Sequence, residues 1–211
     1  MTNTSTSPHS NLKKGFLCIV TPDRFDELKR FIFFYQRVND LPLSVYVVNN
    51  QANAHRAKTL CAFLSPYERT CLIDIDILVN AHLDDIFALV PEDKIGIIRE
   101  KGCPVLNSGV IVFTTEPMKK LCEIWNSKFE QKLMRGYNGK QGAWDQDVLA
   151  PIIKDFPYIE LDPVWNWIVK DYSPEAEIEN YGRVKLFHFM HANDYDRTKY
   201  KSFQIFTSYN G

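Results

Sequence analysis

Short apolar runs alternate with amphipathic segments along the first half of the chain. Residues 15–21, 43–48 and 69–75 are runs of mostly apolar residues, which is typical of strands buried on both faces. Between them, residues 25–35 and 54–64 have the apolar spacing of helices. This β-α-β-α-β order, with short connections, predicts a parallel sheet flanked by helices.

The second half is less regular but continues the same pattern. Residues 117–133 predict a long amphipathic helix, with Leu121, Ile124, Trp125 and Phe129 on its buried side. The remaining predicted elements are a short helix over 83–89, strands over 95–98, 110–113, 158–161 and 184–189, and a helix that starts near Trp144. We therefore expect an α/β fold with a Rossmann-like, mostly parallel central sheet.

The domain boundaries follow from composition. Residues 1–13 are rich in Ser, Thr and Asn and predict a disordered leader, and residues 14–211 predict a single domain. Whether this domain belongs to a longer protein is left open by the chain's end, which has no obvious stop structure.

Charge and cysteine content narrow the function classes. The 211 residues carry 25 basic and 26 acidic side chains, so we expect no nucleic acid partner. No apolar run reaches the ~18 residues of a membrane span, and the leader lacks the apolar core of a signal peptide. The five cysteines include no C-x-x-C pair, which predicts reduced thiols in a cytoplasmic protein.

The most informative polar residues are Asp74 and Asp76, which interrupt the apolar run of residues 71–79. Carboxylates are rarely buried without a partner, because the loss of hydration costs an ion several kcal/mol. In an extended chain, residues i and i+2 point the same way, so the two carboxylates repel unless a cation or a shared proton joins them. Oxygen ligands favour Mg²⁺ or Mn²⁺ over Zn²⁺.

Three other segments carry polar residues at the edges of predicted elements. Asn107, Ser108 and Gly109 lie at the entrance to a strand, where the glycine permits close approach of the backbone to a ligand. Residues 145–147, with the sequence Asp-Gln-Asp, lie at a helix start, and His188 lies in a late apolar strand. A single histidine in such a strand is more often a core residue than a ligand.

Taken together and in this order, the four segments resemble the retaining nucleotide-sugar glycosyltransferases of the GT-A fold, most of all glycosyltransferase family 8. That family has a strand that ends in Asp-x-Asp, then an Asn-Ser-Gly strand, then Asp-Gln-Asp and finally a metal-binding histidine. The resemblance covers roughly residues 15–191. The chain is also similar to the enzymes with which large algal viruses glycosylate their capsids, which would place it in the host cytoplasm.

The resemblance implies a role for each matching residue. Asp74, Asp76 and His188 would bind Mn²⁺, or alternatively Mg²⁺, which bridges the diphosphate of the donor. The donor would be a UDP-sugar, whose hexose or deoxyhexose is transferred to a hydroxyl of a glycan or glycoprotein. The implied catalytic residues are Asp145 and Gln146. The implied donor-sugar residues are Asn107, Ser108, Asp145 and Gln146, and the implied nucleotide-binding residues are Thr21, Pro22, Asp23, Asn49, Asp74 and Ile75.

The chain departs from the family after His188. The family continues with a glycine and a Lys-Pro-Trp segment that helps to hold the diphosphate, whereas here residues 189–194 read Phe-Met-His-Ala-Asn-Asp. Lys199 and Lys201 are the candidates for the missing lysine.

Other functions remain open on the sequence. A haloacid-dehalogenase-type phosphohydrolase would use Asp74 as nucleophile and Asp76 as acid/base, but its motif normally follows the first strand. A sugar- or nucleotide-binding protein without catalysis would keep the same ligand residues. A nucleotidylyltransferase or a Rossmann dehydrogenase would need a glycine-rich loop after the first strand, and residues 20–23 contain no glycine.

Overall fold

The computed structural model describes residues 12–136, 144–190 and 196–209. Its strands, in chain order, are β1 (Leu12–Val20), β2 (Leu43–Val47), β3 (Tyr67–Ile73), β4 (Ile77–Val79), β5 (Ile95–Arg99), β6 (Leu106–Thr114), β7 (Tyr158–Glu160), β8 (Trp167–Ile168) and β9 (Leu186–His188). Its α-helices are α1 (Phe25–Gln36), α2 (Gln51–Thr59), α3 (Cys61–Leu64), α4 (Ile86–Leu89), α5 (Thr115–Met134), α6 (Asp145–Ile152), α7 (Pro174–Asn180) and α8 (Lys201–Ser208).

Six of these strands form the central sheet, in the order β2-β1-β3-β6-β5-β7. Only β6 runs opposite to the other five strands of this sheet. The predicted α/β fold with a mostly parallel central sheet flanked by helices is therefore confirmed. The carboxyl ends of β1, β2 and β3 meet at one edge, which is where ligands gather in open α/β sheets.

The central sheet is buried on both faces, which explains the continuous apolar runs of its strands. Alternate residues of β1 and β3 pack in opposite directions: Phe16 and Cys71 face α1 and α4, and Leu17 and Leu72 face α3, α5 and α6. Because both faces need apolar cover, the helices lie in a layer on each side of the sheet.

A second, smaller sheet packs against the first at the carboxyl end of β3. Its order is β4-β9-β8, with β4 and β9 antiparallel. Its outer face packs against α8, where Phe187 and Phe206 belong to one apolar cluster. Residues 74–76 connect β3 in the large sheet with β4 in the small one, so the predicted carboxylate pair lies at the junction of the two sheets.

Several predicted elements differ from the structure in detail. β1 begins at Leu12, so residues 12 and 13 belong to the sheet and not to the leader, while residues 1–11 lie outside the described residues. The predicted helix over 54–64 is divided into α2 and α3, because Leu60 has a non-helical backbone (φ −108°, ψ 15°). The short elements β8, α7 and α8 lacked a periodic apolar pattern long enough to predict them.

The prediction that Ile124 lies on the buried side of α5 is wrong. The buried residues of this helix are Thr115, Met118, Leu121, Cys122, Trp125 and Phe129. Their stripe is centred between Leu121 and Cys122, so the 100° turn per residue carries position 124 to the exposed side. Within the described residues, no helix combines the length and apolar character needed to cross a bilayer.

Candidate active site at the junction of the two sheets

Asp74 and Asp76 are held in place by backbone hydrogen bonds to both sheets. The N–H of Asp74 donates to the carbonyl of Gly109 in β6, at 2.9 Å. The carbonyl of Asp76 accepts from the N–H of Phe189, directly after β9, also at 2.9 Å. Ile75 between them is buried in the core, and both carboxylates turn to the side of His188.

His188 completes a group of three ligand-type side chains. Its Nε2 lies 3.3 Å from Oδ1 of Asp76 and 4.0 Å from Oδ2 of Asp74. One ligand atom from each of the three residues lies within 4.8 Å of the others. Two carboxylate oxygens and one imidazole nitrogen suit Mn²⁺ or Mg²⁺.

Gly109 gives the imidazole its position. A Cβ built at residue 109 would lie 2.4 Å from Cε1 of His188 and 2.8 Å from Oδ1 of Asn107. At this position of β6, only a residue without a side chain leaves room for the imidazole ring. We call Asp74, Asp76 and His188 the metal half of the site, since their arrangement and donor types fit a divalent cation.

The pKa values of the two carboxylates of the metal half are shifted in opposite directions. Burial raises the pKa of Asp74 above its ordinary value, and the neighbouring Asp76 adds to this rise while Lys58 opposes it. Burial also acts to raise the pKa of Asp76, but the attraction of His188 and Arg24 outweighs it, and the net pKa lies below the ordinary range. Negative charge at Asp74 is therefore incompletely compensated by the protein itself.

Asp145 lies at the start of α6 in a different environment. Its Oδ1 lies 2.6 Å from Nδ1 of His55, and its Oδ2 accepts from Oγ of Ser108 at 2.6 Å. The Nζ of Lys58 lies 3.3 Å from Oδ2 of Asp145 and 2.9 Å from Asp74. We call Asp145, His55, Lys58 and Ser108 the Asp145 half of the site.

The partners of Asp145 fix its charge. The side chain is 3% exposed, and burial acts to raise its pKa, but Lys58, His55 and Ser108 outweigh burial and hold the pKa below the ordinary range. The pKa of Lys58 is raised in turn, because Asp145 and Asp74 outweigh the effect of burial. Asp145 and Lys58 are therefore a charged pair at neutral pH.

A third set of contacts joins the predicted donor-sugar residues to one another. The Nδ2 of Asn107 donates to Oε1 of Gln146 and to Oε1 of Glu100, both at 3.0 Å. The Nε2 of Gln146 donates to the same Glu100 oxygen at 2.8 Å. The sequence analysis did not identify Glu100 because it lies in the connection after β5 and matches no motif.

One cavity of about 270 Å³ brings most of the predicted residues together. It is lined by Thr21, Asp74, Ile75, Asp76, Asn107, Ser108, Asp145, Gln146 and His188, all of which the sequence predicted as site residues. Thr21 is buried, and its Oγ1 has no hydrogen-bond partner among the described residues. Pro22, Asp23 and Asn49 are exposed and do not line the cavity, so their contact with a nucleotide remains a prediction.

The cavity also contains residues that sequence reasoning missed. Gln51, Ala54, His55 and Lys58 line it from α2, and Arg24 lines it from the 3₁₀ turn Pro22–Arg24 that follows β1. The four residues of α2 follow the i, i+3, i+4, i+7 spacing of one helix face. The available signal was this helical spacing of mostly polar residues. It could not identify the site, because a helix face that lines a site and one that faces solvent look alike in sequence.

Neither of the two lysines expected to hold the diphosphate lies in the cavity. Lys199 lies 3.5 Å from Asp196, and Lys201 lies over the ring of Tyr181, and neither lines the cavity. The arginine and lysine side chains that do line it, among the described residues, are Arg24 and Lys58. Residues 191–195, which follow the histidine strand, lie outside the described residues.

Known proteins that resemble this chain are found by structure and not by sequence. No family model matches the chain, and no curated protein sequence matches it. The solved structure of the glycosyltransferase GlyE from Streptococcus pneumoniae TIGR4 is similar over 95% of this chain, with a TM-score of 0.72 and 14% sequence identity. The apo form of the same protein gives a TM-score of 0.69.

A mammalian structure is similar as well. The apo form of mouse xyloside xylosyltransferase 1 covers 87% of this chain with a TM-score of 0.53 and 14% identity. The chain spans 61% of the GlyE chain and 100% of the mouse chain. The fold of this protein is therefore one that glycosyltransferases have, whereas membership of family 8 and likeness to the viral enzymes remain predictions.

Proposed function

We propose that this protein is a metal-dependent glycosyltransferase that moves a hexose or deoxyhexose from a UDP-sugar to a hydroxyl of a glycan or glycoprotein, with retention at the anomeric carbon. The observation that carries the proposal is the convergence of Asp74, Asp76 and His188 beside Asp145, in a fold that glycosyltransferases have. Mn²⁺ is the proposed ion and Mg²⁺ the alternative.

Charge in the cavity supports a requirement for the metal. Its described lining has three carboxylates, from Asp74, Asp76 and Asp145, one arginine and one lysine, Arg24 and Lys58, and two histidines, His55 and His188. A diphosphate would add further negative charge to this site, and like charges at short range repel strongly where water is partly excluded. A divalent cation, when bound, would neutralise the charge that develops on the leaving diphosphate.

The Asp145 half has the properties of a fixed anion near the reacting carbon. Both oxygens of Asp145 already have partners, and its pKa lies below the ordinary range for a carboxyl because Lys58 and His55 outweigh burial. Such a carboxylate stabilises positive charge, and the transition state of glycosyl transfer resembles an oxocarbenium ion. This favours electrostatic stabilisation by Asp145 over attack by Asp145 as a nucleophile.

The cavity offers groups for the nucleoside as well. Thr21, directly after β1, lines the cavity, and its buried Oγ1 has no hydrogen-bond partner among the described residues. A ribose or base could satisfy this hydroxyl, and burying a polar group without a partner costs about 1–3 kcal/mol. This fits the predicted nucleotide-binding position of Thr21.

A screen of nucleotide sugars tests the proposal. The protein is incubated with UDP-, GDP-, CMP- and dTDP-sugars and Mn²⁺, and release of the free nucleotide is measured. We expect slow hydrolysis of one UDP-sugar, its loss in Asp145→Ala, and no change in the matched variant Asp93→Asn, which alters an exposed carboxylate.

The same screen separates the competing functions. Release of phosphate from phosphomonoesters, without hydrolysis of any nucleotide sugar, would support the phosphohydrolase with Asp74 as nucleophile. Tight binding of UDP without turnover, with or without a panel of sugar acceptors, would support a binding protein. The likeness in fold favours the transferase over the phosphohydrolase.

A further inference from the structure

A chain of three side-chain amides connects the metal half of the site with the donor-sugar residues. We call Asn166, Asn107 and Gln146 the amide chain. His188 Nδ1 lies 2.9 Å from Oδ1 of Asn166, and Nδ2 of Asn166 donates to Oδ1 of Asn107 at 2.8 Å. Asn107 in turn contacts Gln146 and Glu100.

The direction of these hydrogen bonds is fixed by a group that can only donate. The backbone N–H of Gly109 donates to Oδ1 of Asn107 at 2.8 Å. An amide could otherwise be rotated by 180°, but a backbone N–H requires an oxygen opposite it. Asn107 must therefore present its oxygen to this side, and Asn166 must present its NH₂ group to that oxygen.

The far end of the amide chain is fixed in the same way. The NH₂ groups of Asn107 and Gln146 both point to Oε1 of Glu100, at 3.0 and 2.8 Å. An ionised carboxylate can only accept hydrogen bonds. The orientation of all three amides thus agrees with the two groups that cannot exchange roles, Gly109 N–H at one end and Glu100 at the other.

The consequence falls on the imidazole. Because Asn166 directs its NH₂ group to Asn107, its oxygen faces Nδ1 of His188, which must then carry the hydrogen. In the neutral ring the lone pair is left on Nε2, the atom 3.3 Å from Asp76. This is the atom of His188 that faces both carboxylates, and metals bind imidazole through its lone pair.

We propose that Asn166 is a positioning residue that holds His188 in the tautomer able to bind a divalent cation through Nε2. The inference rests on the metal site of the proposed function. Asn166 and Asn107 are each 1% exposed and His188 is 3% exposed, so water does not compete for these bonds. A hydrogen-bond acceptor on the second nitrogen of a ligating histidine fixes the ring and strengthens it as a ligand.

The experiment measures Mn²⁺ affinity by electron paramagnetic resonance in wild type, Asn166→Ala and Asn166→Asp, without any sugar nucleotide. Asn166→Ala removes the acceptor for Nδ1–H, and we expect affinity to fall by about 10-fold or more. Asn166→Asp keeps an oxygen for Nδ1–H but cannot donate to Asn107 when ionised, and we expect affinity close to wild type. A role of Asn166 in packing alone would not distinguish the two variants in this way.

The outcomes separate this inference from the proposed function. Mn²⁺ bound equally by wild type and Asn166→Ala overturns the positioning role and leaves the transferase standing. Equal losses in Asn166→Ala and Asn166→Asp overturn it as well, because the loss then reflects packing. Failure of the wild type to bind Mn²⁺ or Mg²⁺ overturns both.

A second measurement does not depend on the folding of any variant. Long-range ¹H–¹⁵N correlation of the wild-type protein, with diamagnetic Mg²⁺ in place of Mn²⁺, reports which imidazole nitrogen of His188 carries the hydrogen. The proposal requires hydrogen on Nδ1. Hydrogen on Nε2 would contradict it.

Discussion

The two halves of the site contain similar residues and differ in how their charges are compensated. In the metal half, burial raises the pKa of Asp74, and the Asp76 carboxylate beside it adds to that rise. In the Asp145 half, a single buried carboxylate has three donors from the same chain, His55, Lys58 and Ser108. In the metal half the charge of Asp74 is therefore incompletely compensated by the chain, whereas Asp145 has its partners before any ligand binds.

This difference predicts a separation of roles. Asp74 should contribute mainly to the binding of the cation and of the diphosphate, and little to the stability of the metal-free protein, because burial raises its pKa. Asp145 should contribute to stability at neutral pH as well as to catalysis. Lys58, in the Asp145 half, contacts both Asp145 and Asp74 and therefore links the two halves of the site.

The largest expected effect is the loss of metal binding in Asp76→Asn. In the proposed metal site Asp76 supplies a ligand atom directly, so we expect Mn²⁺ affinity to fall by more than the ~10- to 100-fold that the loss of an outer-shell partner costs. Electron paramagnetic resonance of free Mn²⁺ measures the affinity, and Asp93→Asn serves as the matched control. Retained Mn²⁺ affinity in Asp76→Asn would remove the distinction between the two halves.

The second effect concerns stability and contrasts Asp145→Ala with Asp74→Asn. Asp145→Ala leaves the buried Lys58 with one carboxylate instead of two, and the loss of one member of a buried charged pair costs about 3–5 kcal/mol. Asp74→Asn removes a charge that burial disfavours, so the metal-free protein should be as stable as wild type or more stable. Urea unfolding in EDTA measures both, and equal losses in the two variants would contradict the comparison.

A smaller effect is expected from Gly109→Ala. The added Cβ would lie 2.4 Å from Cε1 of His188, so the imidazole must leave its present position beside the two carboxylates. We expect Mn²⁺ affinity to fall by about 10-fold, comparable to the loss of an outer-shell partner. Gly182→Ala is the matched control, because a Cβ at residue 182 meets no atom within 4 Å. The same loss in both variants would show that the close approach of Gly109 is unimportant.

The smallest effect is a pH dependence of stability that belongs to Asp145. Burial acts to raise its pKa, but Lys58 and His55 outweigh burial and hold the pKa below the ordinary value of about 4. A carboxyl with a depressed pKa stabilises the folded state above about pH 4 and loses that contribution as the pH falls through its folded-state pKa. The difference in unfolding free energy between wild type and Asp145→Asn should therefore shrink as the pH falls below about 4. A difference that grows toward low pH would contradict the assignment.

The metal half could be predicted from sequence because its signals are local. Asp74 and Asp76 stand out as two carboxylates in an apolar run, and the motif order made His188 a ligand candidate rather than a core histidine. The polar residues that complete the site carry no such signal. His55 contacts Asp145 across 90 positions of the chain, and only the fold brings them together.

Asn166 shows the same limit. It lies in a short 3₁₀ and strand region that has no clear period, and its partners His188 and Asn107 are 22 and 59 positions away. The regular β-α-β start was predictable because each strand is apolar on both faces, whereas short strands such as β8 are too brief for a periodic signal. The sequence thus predicted the candidate ligands, and the structure shows which residues contact them.

The binding of UDP with and without Mn²⁺, measured by isothermal titration calorimetry on the wild-type protein, tests the central claim most directly. We predict that UDP binds with Mn²⁺ present and binds much more weakly in EDTA, because Arg24 and Lys58 must balance the carboxylates of Asp74, Asp76 and Asp145 as well as the diphosphate. Equal affinity for UDP under the two conditions would contradict the assignment of Asp74, Asp76 and His188 as the site of a diphosphate-binding metal.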